Sequence, residues 1–498
     1  MTPRRADRGA LTLVLHSHMP YVEGFDTWPF GEEWLWEALA TVYLPLVEVL
    51  AGAPVTLGLT PVLCDQFATL EGDAGDRFRS FLRDVRAPIH AEDAGGLAGG
   101  GHAELAAEVR RAAGDYEGAG VIFERLGGGL VDAFARLDGP ELWTSAATHA
   151  VLPLLATDAG LGLQIGAGVA SHAQRFRAGR WAGGFWLPEC AYAPGLERHL
   201  AADGVRAFCV DQTDSWGLGS LDHLEPVRTA AGPVALPVDW QTVSLVWGQD
   251  GYPSDPRYRD YHGKTVHDLH PWNIAGDPYR HADAGELARA HARDFVARCG
   301  ERLDAYRAER GRPGVITCAI DTELLGHWWY EGLDWLRAVL DEAVRQAVPL
   351  MPASDAVAAV EPVERELAAS TWGRPKDLTT WDSPRVADFA WRARAAELRT
   401  VREFAAAGNP NKMAASGNGN GHRAAFERAA RELLALQASD WAFQVTHDLA
   451  GDYPSRRVAG HAEGLDAALA ALADSRPVDD ARLRNLAPTL DVSPLFGI

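Results

Sequence analysis

Two acidic residues sit where a carboxylate would be held firmly and partly stripped of water. In Gly184-Phe-Trp-Leu-Pro-Glu-Cys-Ala-Tyr192, Glu189 follows an aromatic, apolar run, and Pro188 stiffens the turn before it. Asp321 ends a similar run that starts at Val315, and it precedes His327, Trp328, Trp329 and Tyr330. Two such acids facing one cavity, flanked by aromatics that stack on sugar rings, are the equipment for cleaving a glycosidic bond. One attacks the anomeric carbon while the other protonates the leaving oxygen. An arbitrary Asp or Glu more often caps a helix or pairs with an arginine. The aromatic context of both segments favours the catalytic reading here.

His16 and His18 are spaced so that both imidazoles lie on the same side of an extended chain. A pair of this kind opens some barrel metallohydrolases, but those need further His or carbamylated Lys ligands on later strands, and no lysine precedes Lys264. Imidazoles that hydrogen-bond sugar hydroxyls, or that position a catalytic acid, fit better, and no metal or other cofactor is expected. His149, which ends Thr144-Ser-Ala-Ala-Thr-His149, is placed to join them. Among the 17 tryptophans, Trp28, Trp272, Trp372 and Trp381 stand beside Gly, Pro, Asp or Asn. Core packing is the default role of any one Trp. A set of them at turns points instead to a groove of flat apolar faces suited to a polysaccharide.

The elements that must position these residues are legible as apolar runs. Seven stand out: Leu11–Leu15, Val55–Leu59, Leu142–Ala146, Gly184–Leu187, Ala207–Val210, Val243–Trp247 and Val315–Ile320. Most lack polar alternation, as strands buried on both faces should, and several end at a polar residue: His16, Glu189, Asp211 and Asp321. Functional groups at the carboxyl ends of strands, with helix-like segments between, describe a seven-stranded, barrel-like α/β domain. It is expected over residues 1–360, with a helical insertion at about 63–137 in which Gly95–Gly101 is a flexible turn and not a phosphate loop. From 361 to 498 the strand signal fades. Val386–Ala407, Arg423–Ala438 and Arg457–Ala473 have amphipathic helical spacing, so a helical C-terminal domain is expected. Within it, Ala415–His422 has too little apolar surface to order its backbone, which predicts disorder or a mobile lid.

Composition narrows the function further. The 498 residues carry 47 Lys+Arg against 68 Asp+Glu, a net charge of −21, and such a surface repels nucleic-acid phosphates and anionic lipid. Neither nucleic acid nor membrane is an expected partner. The five cysteines are scattered and odd in number, consistent with reduced thiols in the cytoplasm. The run Ala10–Leu15 is short for a signal-peptide core, and no uncharged stretch nears the ~20 residues of a membrane span. A soluble monomer or small homo-oligomer is expected.

Taken together, these segments resemble glycoside hydrolase family 57, most closely its glycogen branching enzymes, over almost the whole chain. The resemblance rests on His16-Ser-His-Met-Pro-Tyr21, on Pro140 to His149, on Trp186-Leu-Pro-Glu-Cys-Ala-Tyr192, on Asp321 to Trp329, on Ser370-Thr-Trp-Gly373 and on Ser439-Asp-Trp441. It implies a distorted (β/α)7 barrel followed by an all-helical domain that contributes to the substrate groove. It also implies an α-1,4-glucan substrate and a metal-free retaining mechanism. By position, Glu189 would be the nucleophile and Asp321 the general acid/base, with carboxyl groups about 5–5.5 Å apart. His16, His18, His149, His327 and Asp440 would line the sugar site, and Trp28, Trp272, Trp372 and Trp381 would hold glucan. Tyr252, in Gly251-Tyr-Pro-Ser-Asp255, would tip a mobile loop that excludes water. Two stretches depart from the family pattern, the short one between Tyr252 and Trp272 and Arg374-Pro-Lys-Asp-Leu378, and both bear on acceptor-side walls. An α-amylase or a 4-α-glucanotransferase would use the same two acids, an amidohydrolase would use His16 and His18 on a metal, and a glycan-binding protein would need no acid.

Overall fold

In the computed structural model, residues 8–28, 30–176, 181–407, 419–474, 476–478 and 483–496 are described. Among the described residues nine strands form one sheet: β1 (Ala10–Ser17), β2 (Thr56–Leu59), β3 (Glu141–Ser145), β4 (Gly184–Trp186), β5 (Ala207–Val210), β6 (Val227–Arg228), β7 (Val234–Pro237), β8 (Val315–Asp321) and β9 (Val363–Glu364). Their order is β8-β1-β2-β3-β4-β5-β7-β6-β9, and every pairing from β8 through β7 is parallel. A parallel bridge between Val238 and Thr317 brings the end of β7 back to β8 and curls these seven strands into a barrel. The short β6 and β9 continue the sheet beyond β7.

The apolar runs form these strands because both faces are covered. All eight residues of β1 and six of the seven in β8 are buried, which suits parallel strands wrapped by helices. One expected strand is not a strand. Val243–Trp247 belongs to the helix Trp240–Trp247, and the barrel strand is the preceding β7. A short apolar run reads alike in either state, and here Asp239 starts a helical turn by accepting the amide of Val243 through its carbonyl.

Between β2 and β3 the chain runs through helices Pro61–Phe67, Asp73–Ser80, Ala87–Gly99, Ala103–Leu126 and Leu130–Arg136, with Gly100–His102 forming the turn between the two longest. After β9 come helices Ala387–Ala407, Gly419–Leu436, Asp440–Thr446 and Tyr453–Ala473, which bury their own cluster around Phe404, Phe426 and Leu465. Residues 415–418 of the Gly- and Asn-rich stretch lie outside the described residues, whereas 419–422 form the first turn of a helix and not a loop. The helical region touches the barrel at the carboxyl ends of its strands, where Thr148 donates to the Leu434 carbonyl (2.5 Å) and the Ser439 amide to the His149 carbonyl (3.2 Å). Among the described residues no helix is long and apolar enough to cross a membrane.

Candidate active site

The carboxyl ends of β1, β3, β4 and β8 converge on one cluster. His16 lies on β1 in register with Asp321 on β8, so the two face the same end of the barrel. Glu189 follows β4, a strand that fits only because Gly184 has no side chain: a Cβ there would overlap the indole of Trp143. Glu189, Cys190 and His149 all adopt left-handed backbone (φ 62°, 48° and 60°). Such a conformation costs a non-glycine residue about 1–3 kcal/mol and persists only where surroundings enforce it. The enforcement here is visible. Residues 370–372 pair antiparallel with the Glu189 turn, the amides of Tyr192 and Ser370 each donating to the other's carbonyl and the Trp372 amide to that of Glu189 (2.9 Å).

Each oxygen of Glu189 receives one donor from the C-terminal part of the chain, Oε1 from the Ser439 hydroxyl (2.9 Å) and Oε2 from the Trp372 indole (3.2 Å). Because the Ser439 proton points at Glu189, Nδ1 of His149 must donate to Ser439 Oγ (2.9 Å). The Nε2 of His149 is then a lone pair, and His16 Nε2 donates to it (2.9 Å). Hydrogen bonds therefore run in one direction, from His16 through His149 and Ser439 to Glu189. The chain requires His149 to be neutral, one nitrogen donating and the other accepting, and burial together with the neighbouring imidazoles holds both His149 and His16 well below the ordinary histidine value. The rings are stacked: His16 lies on Trp186 (4.4 Å between centroids, 14° apart) and His18 on His149 (4.0 Å, 18°).

His18 is shifted the other way, toward its charged form. Burial opposes its charge, but the Asp440 carboxylate (Nε2 to Oδ2 3.0 Å, to Oδ1 3.2 Å) and nearby Glu323 and Glu189 outweigh it and raise its value. Its other nitrogen meets Thr60 Oγ1 (3.2 Å). Glu323 accepts from the His18 amide (3.1 Å) and from the Tyr43 hydroxyl. Burial is also the main influence on the carboxyls. It pushes Glu189 up to about 7, its two donors and His18 pulling the other way, and Glu323 up to about 7. Asp321 is raised well above the carboxylate range by burial and by the charges of Glu323 and Glu189. The influence of the Glu189 charge on Asp321 places both in one electrostatic site.

The structure thus brings together His16, His18, His149, Glu189, Asp321, Trp372 and Asp440 from the sequence expectation. The others make their contacts elsewhere. Tyr252 is no raised loop tip: its hydroxyl donates to Asp294 (2.7 Å) and its ring stacks on His291 (4.6 Å), both on the helix His281–Arg310. Trp381 packs among buried Val151 and Ala191 as core, Trp28 is 66% exposed, and half-buried Trp272 accepts the Asp260 amide at its carbonyl (2.9 Å). His327 packs against Tyr261 and Trp328, and burial lowers it to about 4. Residue spacing missed Ser439, Glu323, Tyr43, Thr60 and Trp186. Of these, Glu323 lay two residues past Asp321 and Ser439 beside Asp440, so both were within reach of the motifs.

Lys376 belongs to the departing stretch 374–378 and braces the wall. Its ammonium pairs with fully buried Asp211 (2.7 Å), donates to the Trp372 carbonyl (2.9 Å) and lies over the Trp240 ring (3.4 Å). Among the described residues no three His, Cys, Asp or Glu are arranged to hold a metal ion. An open groove of about 620 Å³ at the opposite end of the barrel, lined by Arg206, Arg228 and Pro362 among others, contains none of these groups.

Fold and site together define a (β/α)7-barrel protein whose carboxyls, imidazoles and indoles gather at the carboxyl ends of its strands. Residues 130–367 match Glycosyl hydrolase family 57, and residues 409–496 match 1,4-alpha-glucan branching enzyme, C-terminal. A probable 1,4-alpha-glucan branching enzyme of Mycobacterium tuberculosis is 33% identical over 517 residues, 94% of this chain and 93% of that protein. A 1,4-alpha-glucan branching enzyme of Thermococcus kodakarensis is 31% identical over 515 residues, 91% of this chain and 72% of that protein. Among solved structures, the GH57-type branching enzyme of Pyrococcus horikoshii has a TM-score of 0.88 at 28% identity and covers 98% of this chain and 97% of its own. The chain belongs to glycosyl hydrolase family 57.

Proposed function

We propose that this chain is a retaining 1,4-α-glucan branching enzyme, with Glu189 as nucleophile and Asp321 as general acid/base. The observation that carries the reading is the unequal environment of two interacting carboxyls. Asp321 is raised well above the carboxylate range by burial and by neighbouring negative charge, which favours its protonated form, while Glu189, at about 7, is given two donors that favour its ionised form. Paired carboxyls driven to different protonation states are the pattern of an acid and a nucleophile sharing one substrate.

In the first step a Glu189 oxygen attacks C1 of a glucose unit, and the Asp321 proton passes to the departing O4, breaking the α-1,4 bond. The product is a glycosyl ester on Glu189, and Asp321 is left as a carboxylate. In the second step that carboxylate takes the proton from a glucan 6-hydroxyl, whose oxygen attacks C1 and releases Glu189 with an α-1,6 link formed. Two inversions give retention. Branching rather than hydrolysis requires the 6-hydroxyl to arrive before water, a demand on the acceptor wall that Trp372 and the brace of Lys376 help to form. The similarity of both the barrel segment and the C-terminal segment to branching enzymes supports this outcome over simple hydrolysis. Incubation with amylose, followed by debranching and chain-length analysis, tests it. New α-1,6 linkages are expected, and reducing ends without such linkages would remove the branching reading.

A further inference from the structure

A second aromatic surface lies on the same end of the barrel, outside the cluster just described. Trp247 ends the helix that follows β7, and Trp328 lies in the loop after β8; these strands are the two joined at the barrel closure. Their rings meet nearly at right angles (5.7 Å between centroids, 71°). Tyr261 is seated near the same loop, its ring against His327 (6.1 Å) and stacked on His270 (5.9 Å, 5°). All three stay open to solvent, Trp247 at 42%, Trp328 at 40% and Tyr261 at 43%.

Their exposure does not come from a loose loop. Trp329, the next residue, is buried at 2%, its amide donates to the Leu324 carbonyl (2.8 Å) and its carbonyl accepts the Gly326 amide (2.8 Å). Trp328 therefore projects from a fixed backbone, seven residues beyond Asp321 in one short loop. Rigid, clustered aromatic faces left in water mark a binding surface more often than leftover core. Two indoles at a right angle form a corner, one face to stack beneath the apolar C–H face of a pyranose and one ring edge-on beside it. The Tyr261 hydroxyl and the His327 and His270 nitrogens at its margin suit sugar hydroxyls.

We propose that Trp247, Trp328 and Tyr261 form an auxiliary α-glucan platform on the acid side of the cleft, where the leaving or accepting chain runs. The assignment to that side rests on the proposed function: the residue that protonates the leaving oxygen is Asp321, and Trp328 is carried on the Asp321 loop. The occupant is a segment of α-1,4-glucan several units from the bond being cleaved.

The test compares wild type with Trp247→Ala, Trp328→Ala and Trp328→Phe by migration through native gels cast with amylose, and by kinetics on amylose. Wild type and Trp328→Phe should be retarded. Each Ala variant should bind amylose more weakly by about fivefold or more, the scale of losing one stacked aromatic contact, with KM raised to match and kcat nearly unchanged. An Ala variant that folds and is retarded like wild type, with unchanged KM, overturns the platform, as does a wild-type chain that amylose does not retard. Debranching of the wild-type product reads the functional proposal separately. Retardation that depends on Trp247 and Trp328 in a chain that makes no α-1,6 links would sustain the platform while removing branching.

Discussion

Replacing Ser439 by Ala removes one of the two donors to Glu189 and leaves His149 Nδ1–H without its acceptor. Glu189 starts at about 7, so about half of it is ionised at pH 7. A hydrogen bond to a charged group contributes ~1.5–3 kcal/mol, and 1.36 kcal/mol corresponds to about one unit of pKa, so losing it should raise Glu189 by about 1–2 units. The reactive carboxylate then falls from about half the population to roughly one-tenth or less at pH 7. Because the proposed nucleophile must be ionised to attack, the acid limb of the kcat/KM profile should move up by that amount. Activity should drop about fivefold or more at pH 7 and recover substantially near pH 9, whereas Ser439→Thr, which keeps the hydroxyl, should resemble wild type. The assay is the pH profile of kcat/KM on amylose. A loss of the same factor at every pH, with the acid limb in place, would refute the claim that Ser439 acts through the ionisation of Glu189.

Glu323→Gln keeps an acceptor for Tyr43 and the His18 amide while deleting a carboxyl raised to about 7. A carboxyl raised on folding carries no protonation cost while it is protonated in both states, and a cost appears once the unfolded chain ionises, so wild type loses stability as pH climbs from the ordinary carboxylate range to about 7, by ~3 kcal/mol. Calorimetry should show the variant melting above wild type at pH 8 and close to it at pH 4.5; an equal difference at both pH values would count against this. Asp440→Asn removes the largest influence raising His18, so NMR titration should find its value lower than in wild type, and an unchanged value would show that Asp440 is not its main partner. Lys376→Met strands the Asp211 carboxylate, fully buried, and should cost about 3–5 kcal/mol in denaturant unfolding, most of which returns in Lys376→Met/Asp211→Asn. A double variant no more stable than the single would refute the pairing.

Much of this site was legible because parallel barrel strands are buried on both faces and end where chemistry begins. His16, Glu189 and Asp321 each announce themselves as a polar residue closing an apolar run. The same logic failed at Val243–Trp247, where a half-buried helix carries as many apolar residues as a strand, while β7 ends in Pro237, a residue that argues against a strand. What spacing misses is the support. Ser439 meets Glu189 across 250 residues, and Tyr43 meets Glu323 across 280. Neither type is distinctive, and only the folded chain selects them from many serines and tyrosines. Tyr252 failed for a different reason: a tyrosine at a Gly-Pro turn has the composition of a loop tip, but Asp294 and His291 offer it a seat on a neighbouring helix. Trp381 looked like a groove residue from its polar neighbours in sequence, yet its ring is 3% exposed.

The central claim is that Glu189 carries the sugar and Asp321 handles the proton. It is tested most directly by exposing Asp321→Asn to α-maltosyl fluoride, whose leaving group needs no acid, and mapping the product by peptide mass spectrometry. Glycosylation should proceed while its reversal by water or acceptor stalls, so a maltosyl increment is expected on the peptide containing Glu189. No adduct, or an adduct on Glu323 or another carboxylate, would contradict the account.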